Sequence, residues 1–279
     1  MNRRILITGG AGQIGTRYAQ HCAGRNDVTL LDLPGEFRPE HHAIGRTLEA
    51  DLSDLDQLRG AFDGVDVVLH FAGQRKPSAL WDSLLPANVI GTYNTVAAAV
   101  AAGCRRIIYA SSVHAVTGYP HGVAVREEDP VLPGDLYGVT KCFGEALGAY
   151  AAAREGIAFT ALRIGAYQDP GIPNGESTGE KMRDYCAAED LNQLIDAVLA
   201  ADEDGFQIYN AVSANTVYRL PMDKARQRLN VEPQFDAFSF VPEIAEGFAS
   251  IGTLEDAPIP SGMRADIDRL CMREEAASG

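Results

Sequence analysis

Six short runs along this chain read as strands, Arg4 to Thr8, Val28 to Asp32, Thr47 to Asp51, Asp66 to Phe71, Arg106 to Ser112 and Ile157 to Ile164, and Asp66 to Phe71 is almost continuously apolar. A run without polar alternation, as at Asp66 to Phe71, is the pattern of a strand buried on both faces of a parallel sheet. Between them lie stretches compatible with helices: one ending near Ala23, one from Asp54 to Phe62 behind Ser53 as an N-cap, one from Asn88 to Ala102 stopped by Gly103, and one from Leu136 to Arg154. The segment from Gly35 to Gly45 reads as a connecting loop. A β-α unit repeated in this way predicts an α/β doubly wound parallel sheet, with right-handed crossovers placing helices on both faces.

Beyond Gly165 the regularity breaks. Asp169 to Gly179 is rich in Pro and Gly and reads as a loop or lid; Ala188 to Ala200 reads as a helix, Gln207 to Val212 as a strand, and the tail from Pro258 is helix-like between Asp266 and Glu275. The expected organisation is a nucleotide-binding domain over 1–165 carrying the catalytic residues, and a small substrate-binding lobe with the tail over 166–279, not an independent domain.

Composition narrows the classes. Of 279 residues, 46% are apolar and 22% charged, which suits a globular chain, and a net charge of −14 argues against binding nucleic acid or an anionic membrane. The five cysteines are far apart without a C-x-x-C, and His41 and His42 lack further ligands at a recognisable spacing, so neither metal nor disulfide is expected. No apolar run approaches the length that spans a bilayer, Val96 to Ala102 being too short, and no basic-apolar leader precedes the first strand; the expected location is cytoplasmic.

Candidate chemistry collects at the carboxyl ends of the predicted strands. Gly9, Gly12 and Gly15 punctuate a turn between the first strand and a helix, with Gln13 and Ile14 inside it. Such a turn lets backbone approach a pyrophosphate lying at the helix N-terminus, and no Lys followed by Ser or Thr turns it into a triphosphate loop. Asp32, followed by Leu33, ends the second strand, where a carboxylate accepts from both ribose hydroxyls and repels a 2′-phosphate; this favours NAD over NADP. Asp51 and Leu52 are placed to close over adenine, and Phe71, Ala72 and Gly73 to let the central riboses pass. Gln74, Arg75 and Lys76 follow on a loop at the substrate end, where Arg75 and Lys76 would meet a substrate anion. Tyr137 and Lys141 are four apart on one helix face, and an ammonium beside a phenol stabilises its phenolate as a proton acceptor. Ser112 ends the fifth strand and is placed to hold a substrate hydroxyl.

With Thr8-Gly9-Gly10-Ala11-Gly12-Gln13-Ile14-Gly15, Asn88-Val89-Ile90-Gly91-Thr92, Ala110-Ser111-Ser112 and Tyr137-Gly138-Val139-Thr140-Lys141, the chain over roughly 3–215 resembles the extended short-chain dehydrogenase/reductases, also called NAD-dependent epimerase/dehydratases. Ala110 to His114, Gly118-Tyr119-Pro120, Leu136 to Glu145 and Arg163-Ile164-Gly165 are most similar to the uronate dehydrogenase branch, which oxidises the C1 hydroxyl of a cyclic uronic acid to a lactone. The resemblance implies a Rossmann fold, NAD as cofactor, Tyr137 as base, Ser112 and Lys141 as its partners, Asn88 and Ile164 beside the cofactor, and Val113, His114, Ala166, Lys181 and Arg183 on the substrate side. It also implies a homo-oligomer built on the helices from Asn88 and Leu136. Val113 and Ala166 replace the Asn and Ser usual in that branch, and no Arg aligns cleanly with its carboxylate-gripping residue. Loss of two polar partners changes specificity, so a neutral aldose or a sugar with another acidic group stays open. Two alternatives also stay open: a nucleotide-sugar epimerase/dehydratase retaining its NAD, and a dinucleotide-sensing protein without catalysis.

Overall fold

The computed structural model describes residues 3–120, 122–170, 179–201 and 203–240. Its centre is a seven-stranded sheet in the order β3-β2-β1-β4-β5-β6-β9. The strands are β1 (Arg4–Thr8), β2 (Asp27–Asp32), β3 (Arg46–Glu49), β4 (Val67–His70), β5 (Arg106–Ser112), β6 (Ala158–Ile164) and β9 (Phe206–Ala211), and each neighbouring pair is parallel. Strand order reverses between β1 and β4, and the crevice that such a reversal opens at the carboxyl ends is where a doubly wound sheet binds ligands.

Alternating side chains along each strand feed two separate cores. Ile5, Ile7, Leu30, Leu69 and Ile108 face one way, with Tyr18 and Ala19 of α1 (Gln13–Cys22) and Leu191, Ile195 and Val198 of α7 (Ala188–Ala201). Leu6, Leu31, Val68, Ile107 and Tyr109 face the other way, with Val96 and Ala99 of α4 (Gly91–Ala101) and Ala151 of α5 (Leu136–Glu155). Fully burying each aliphatic side chain is worth roughly 1.5–3 kcal/mol, so both layers hold the sheet flat between helices. Two glycines bring α5 close: a Cβ at Gly144 would lie 2.3 Å from the Tyr109 ring, and one at Gly148 2.3 Å from that of Phe159.

The structure differs from the sequence expectation in several places. Pro39–Ile44 is a helix, α2, rather than part of a loop; His41 caps it, accepting from the Arg38 N–H through Nδ1 (2.9 Å). The Asp54–Phe62 segment contracts to a 3₁₀ turn over Leu55–Leu58, capped by Asp54 and not Ser53. The helix expected from Asn88 begins earlier, at α3 (Trp81–Leu84), and passes through a π-helical turn over Leu85–Ile90 before α4. Trp81–Ala101, 21 residues, contains an 18-residue window with a mean hydropathy of 1.2 and is by length and composition apolar enough to cross a membrane, against the expectation that no run was. Its apolar character has a local cause: 44% of that window is buried inside the protein.

Past β6 the chain makes a small sheet of β7 (Ala166–Gln168) and β8 (Tyr185–Ala187), with the short α6 (Gly179–Arg183) between. It then returns as β9 to extend the main sheet, so residues beyond 165 share the sheet of residues before it. The last described helix is α8 (Asp223–Leu229). Most of the Pro/Gly-rich stretch and the whole tail from Pro258 lie outside the described residues.

Candidate active site

One cleft of about 910 Å³ runs along the carboxyl ends of the strands. Its left half is built from backbone. Gly9 has φ +70°, and a Cβ there would lie 2.7 Å from the Ala72 amide nitrogen; a Cβ at Gly15 would lie 2.1 Å from the Gly9 carbonyl oxygen. Only glycine permits so tight a turn. Helix α1 starts at Gly12 with no side-chain cap and no acidic residue in its first turn, so its N-terminal N–H groups and dipole stay available to an anion. Asp32 stands opposite, its carboxylate fixed by the N–H groups of Ala11 (2.9 Å) and Leu33 (2.8 Å) with lone pairs to spare. Asp51, Leu52, Phe71, Ala72 and Gly73 continue the wall.

The right half is built from side chains. Ser112, Tyr137 and Lys141 line the cleft and are 6%, 8% and 5% exposed. The Asp135 side chain accepts from the Gly138 N–H (2.7 Å) and so fixes where α5, and with it Tyr137, begins. Lys141 donates to the Ala110 carbonyl at 2.8 Å, and its ammonium is 5.5 Å from the centre of the Tyr137 ring. Burial pushes Lys141 down to about 8. Burial likewise pushes the Tyr137 phenol up to about 12; a hydrogen bond with Ser112 and the charge of Arg75 act to lower it, and Asp135 to raise it. The sequence expectation that Lys141 would draw the phenol down is therefore corrected for this state: desolvation dominates, and the ammonium is committed to Ala110.

Beneath these groups lies a buried frame. Arg163 pairs with Glu145 through Nε (3.0 Å) and Nη2 (2.9 Å), and the Ser111 hydroxyl donates to Glu145 at 2.6 Å, tying α5 to β5 and β6. Asn88, in the π turn, accepts from the Gln74 N–H (2.7 Å) and donates to the Gln74 carbonyl (3.0 Å) and the Thr140 hydroxyl (2.9 Å). It thereby fixes the Gln74 loop relative to α5.

Of the residues singled out from sequence, Gly9, Gly12, Gln13, Ile14, Gly15, Asp32, Leu33, Asp51, Leu52, Phe71, Ala72, Gly73, Gln74, Arg75, Ser112, His114, Tyr137, Lys141, Ile164, Ala166 and Lys181 line the cleft. Three do not. Asn88 is spent on its hydrogen bonds behind the wall, Val113 is turned into the apolar core, and Arg183 lies outside the lining. Sequence reasoning missed Glu36 and Tyr167. Tyr167 follows the carboxyl end of β6 on β7, a position that was itself a signal, and its solvent-shielded hydroxyl has no hydrogen-bond partner among the described residues.

An uncapped helix start behind a glycine turn, a strand-end carboxylate and a cleft extending to Tyr137 fit a dinucleotide along their length. The model for the NAD dependent epimerase/dehydratase family matches residues 5–178. The chain belongs to that family. NAD is its cofactor, and the residues that would hold it are the glycine turn, Asp32 and the Phe71–Gly73 wall. The chain is 31% identical to an NAD-dependent glucose-6-phosphate dehydrogenase of Haloferax volcanii, over 87% of this chain and 97% of that one. It is 31% identical to a uronate dehydrogenase of Agrobacterium fabrum, over 76% and 78% of the two chains. A solved glucuronic acid dehydrogenase from Chromohalobacter salexigens superposes with a TM-score of 0.79 at 29% identity, covering 92% of this chain and 93% of that one.

Proposed function

We propose that this protein is an NAD-dependent dehydrogenase that oxidises the C1 hydroxyl of a free sugar to the lactone, the sugar being a uronic acid or a related aldose with an acidic group. The observation that carries the reading is the placement of Ser112, Tyr137 and Lys141 in the same cleft as the glycine turn and Asp32. NAD, when bound, supplies the hydride acceptor. Ser112 and Tyr137 form the hydrogen-bonding pair that would seat the reacting hydroxyl, with Tyr137 taking its proton. Lys141 keeps its charge below a pH of about 8 and is held beside Tyr137 by its bond to the Ala110 carbonyl.

The substrate class follows from the cations. Arg75 is close enough to Tyr137 for its charge to act on the phenol, and Lys181 lines the cleft as well. A cation this near the Tyr137 phenol favours an anionic sugar, whether carboxylate or phosphate. The test is NADH absorbance with NAD and D-glucuronate, D-galacturonate, D-glucose 6-phosphate, L-arabinose and D-glucose. NADH is expected from an acidic sugar at a higher kcat/KM than from a neutral one; silence across the panel with NAD copurifying would replace this reading by the epimerase one. The Asp32 carboxylate supports preference for NAD, and Asp32→Ala is expected to narrow the gap to NADP.

The same reading takes the protein as cytoplasmic and as a homodimer across α4 and α5. Tyr93 and Tyr150 on those helices are 54% and 58% exposed, large aromatic surfaces suited to a partner. Light scattering that returned a monomer mass would remove the dimer.

A further inference from the structure

We propose that Asp135 is a positioning residue that locks His114 in one tautomer, so that Nε2 of His114 accepts a hydrogen bond from the sugar hydroxyl on the carbon next to the reacting one. This rests on the sugar dehydrogenase reading above. His114 Nδ1 lies 2.6 Å from Asp135 Oδ2, and the Asp135 side chain is 0% exposed. The other oxygen, Oδ1, accepts from the Gly138 N–H at 2.7 Å, so the carboxylate is held at both ends and does not turn. An ionised carboxylate only accepts, so the proton of the bond sits on Nδ1; in the neutral imidazole this leaves Nε2 with its lone pair.

That lone pair is where substrate would meet it. With Nδ1 turned to a carboxylate that solvent does not reach, the 24% of the side chain that is exposed belongs to the far edge of the ring, and His114 lines the cleft. The ring stands edge-on to Tyr137, centres 5.3 Å apart at 67°. The His114 backbone N–H also donates to the Ser112 hydroxyl at 3.2 Å, so Ser112, His114 and Tyr137 form one rigid corner. A sugar hydroxyl seated between Ser112 and Tyr137 places its neighbour on the ring, the 2-hydroxyl, against His114. Recognition through a buried, oriented acceptor discriminates strongly against an analogue lacking the hydroxyl.

The test is Asp135→Asn with matched sugars: D-glucose 6-phosphate against 2-deoxy-D-glucose 6-phosphate, and D-glucose against 2-deoxy-D-glucose. Asn is as good an N-cap as Asp, so the start of α5 is kept. Its amide nitrogen, however, donates to Nδ1 and forces the proton to Nε2, turning acceptor into donor. The 2-hydroxyl must then turn round to accept from Nε2–H in a corner shaped for it to donate, and kcat/KM for the hydroxylated sugar is expected to fall about 5- to 10-fold. The 2-deoxy sugar should change less than about threefold, with NAD affinity unchanged, since it never made the bond that is lost. Equal slowing of both sugars, as a merely structural Asp135 would give, overturns the proposal. So does a wild-type protein indifferent to the 2-hydroxyl. Nitrogen NMR of ¹⁵N-histidine-labelled protein decides the lock without turnover: a protonated Nδ1 on neutral His114 in the wild type and a protonated Nε2 in D135N are expected, and Nε2–H in the wild type overturns it. If no sugar yields NADH the dehydrogenase reading falls, while the NMR result still decides whether Asp135 sets the tautomer.

Discussion

Helices α1 and α5 both begin at the cleft, and they begin in opposite ways. Helix α1 starts on Gly12, bare of any side-chain cap; α5 starts on Asp135, whose carboxylate satisfies the Gly138 N–H and reaches His114 as well. The first end keeps its backbone donors for a ligand phosphate, whereas the second commits the Gly138 donor to Asp135 and so fixes where Tyr137 stands. An open helix start thus marks where charge is bound, and a closed one where geometry must be exact enough for proton transfer.

The largest effect should come from the closed end. Tyr137→Phe is expected to lower kcat by about 10²- to 10⁴-fold while leaving NAD affinity nearly intact, because the group lost is the proton acceptor alone; steady-state rates and NAD titration would check both halves. At the open end, Gly15→Ala puts a methyl 2.1 Å from the Gly9 carbonyl, on backbone that has nowhere to go. Overpacking strain of about 1–3 kcal/mol should appear as roughly 10- to 100-fold weaker NAD binding by calorimetry, with chemistry at saturating NAD little changed.

Lys141→Met should inactivate and yet stabilise. Burial holds Lys141 at about 8 against an ordinary 10.5. Below pH 8 both the folded and the unfolded chain carry the charge, and the folded one bears the full desolvation cost. Between the two values the folded chain loses its proton first, so wild-type stability rises with pH there. Met removes a cost of up to about 3 kcal/mol, less about 1 for the lost bond to Ala110. Denaturant melts should show the variant ahead at pH 7 and its lead shrinking toward pH 10. The smallest effect is at the cap itself: Asp135→Ala should cost about 0.5–2 kcal/mol and Asp135→Asn only a few tenths, since Asn caps as well as Asp. Equal losses in the two variants would mean that the cap contributes little and that Asp135 matters through His114.

Much of this was legible in the residues. The near-continuous apolar run from Asp66 to Phe71 announced a parallel sheet because a strand covered on both faces has no polar side to show, and the glycine spacing announced the turn because backbone crowding admits nothing larger. Pro39–Ile44 was misread since its cap is an imidazole reaching back from His41, a device that local composition does not display. The π turn at Leu85–Ile90 was invisible for a related reason: it is held by Asn88 bonding across to Gln74 and Thr140, residues 14 and 52 positions away. Likewise Val113 filled a motif position and Arg183 stood only near one, and packing turned the first inward and left the second off the cleft.

By itself the sequence determined the layered sheet, the turn for the pyrophosphate, the strand-end Asp32 and the shared helix face of Tyr137 and Lys141. All of these follow from spacing, because strands repeat every second residue and helices about every 3.6. Only the tertiary structure decided that Lys141 answers to the Ala110 carbonyl, that burial raises the Tyr137 phenol, and that Asp135 joins the start of α5 to His114. Those depend on how much water each group loses and on partners brought together from distant stretches of chain, which no local pattern carries.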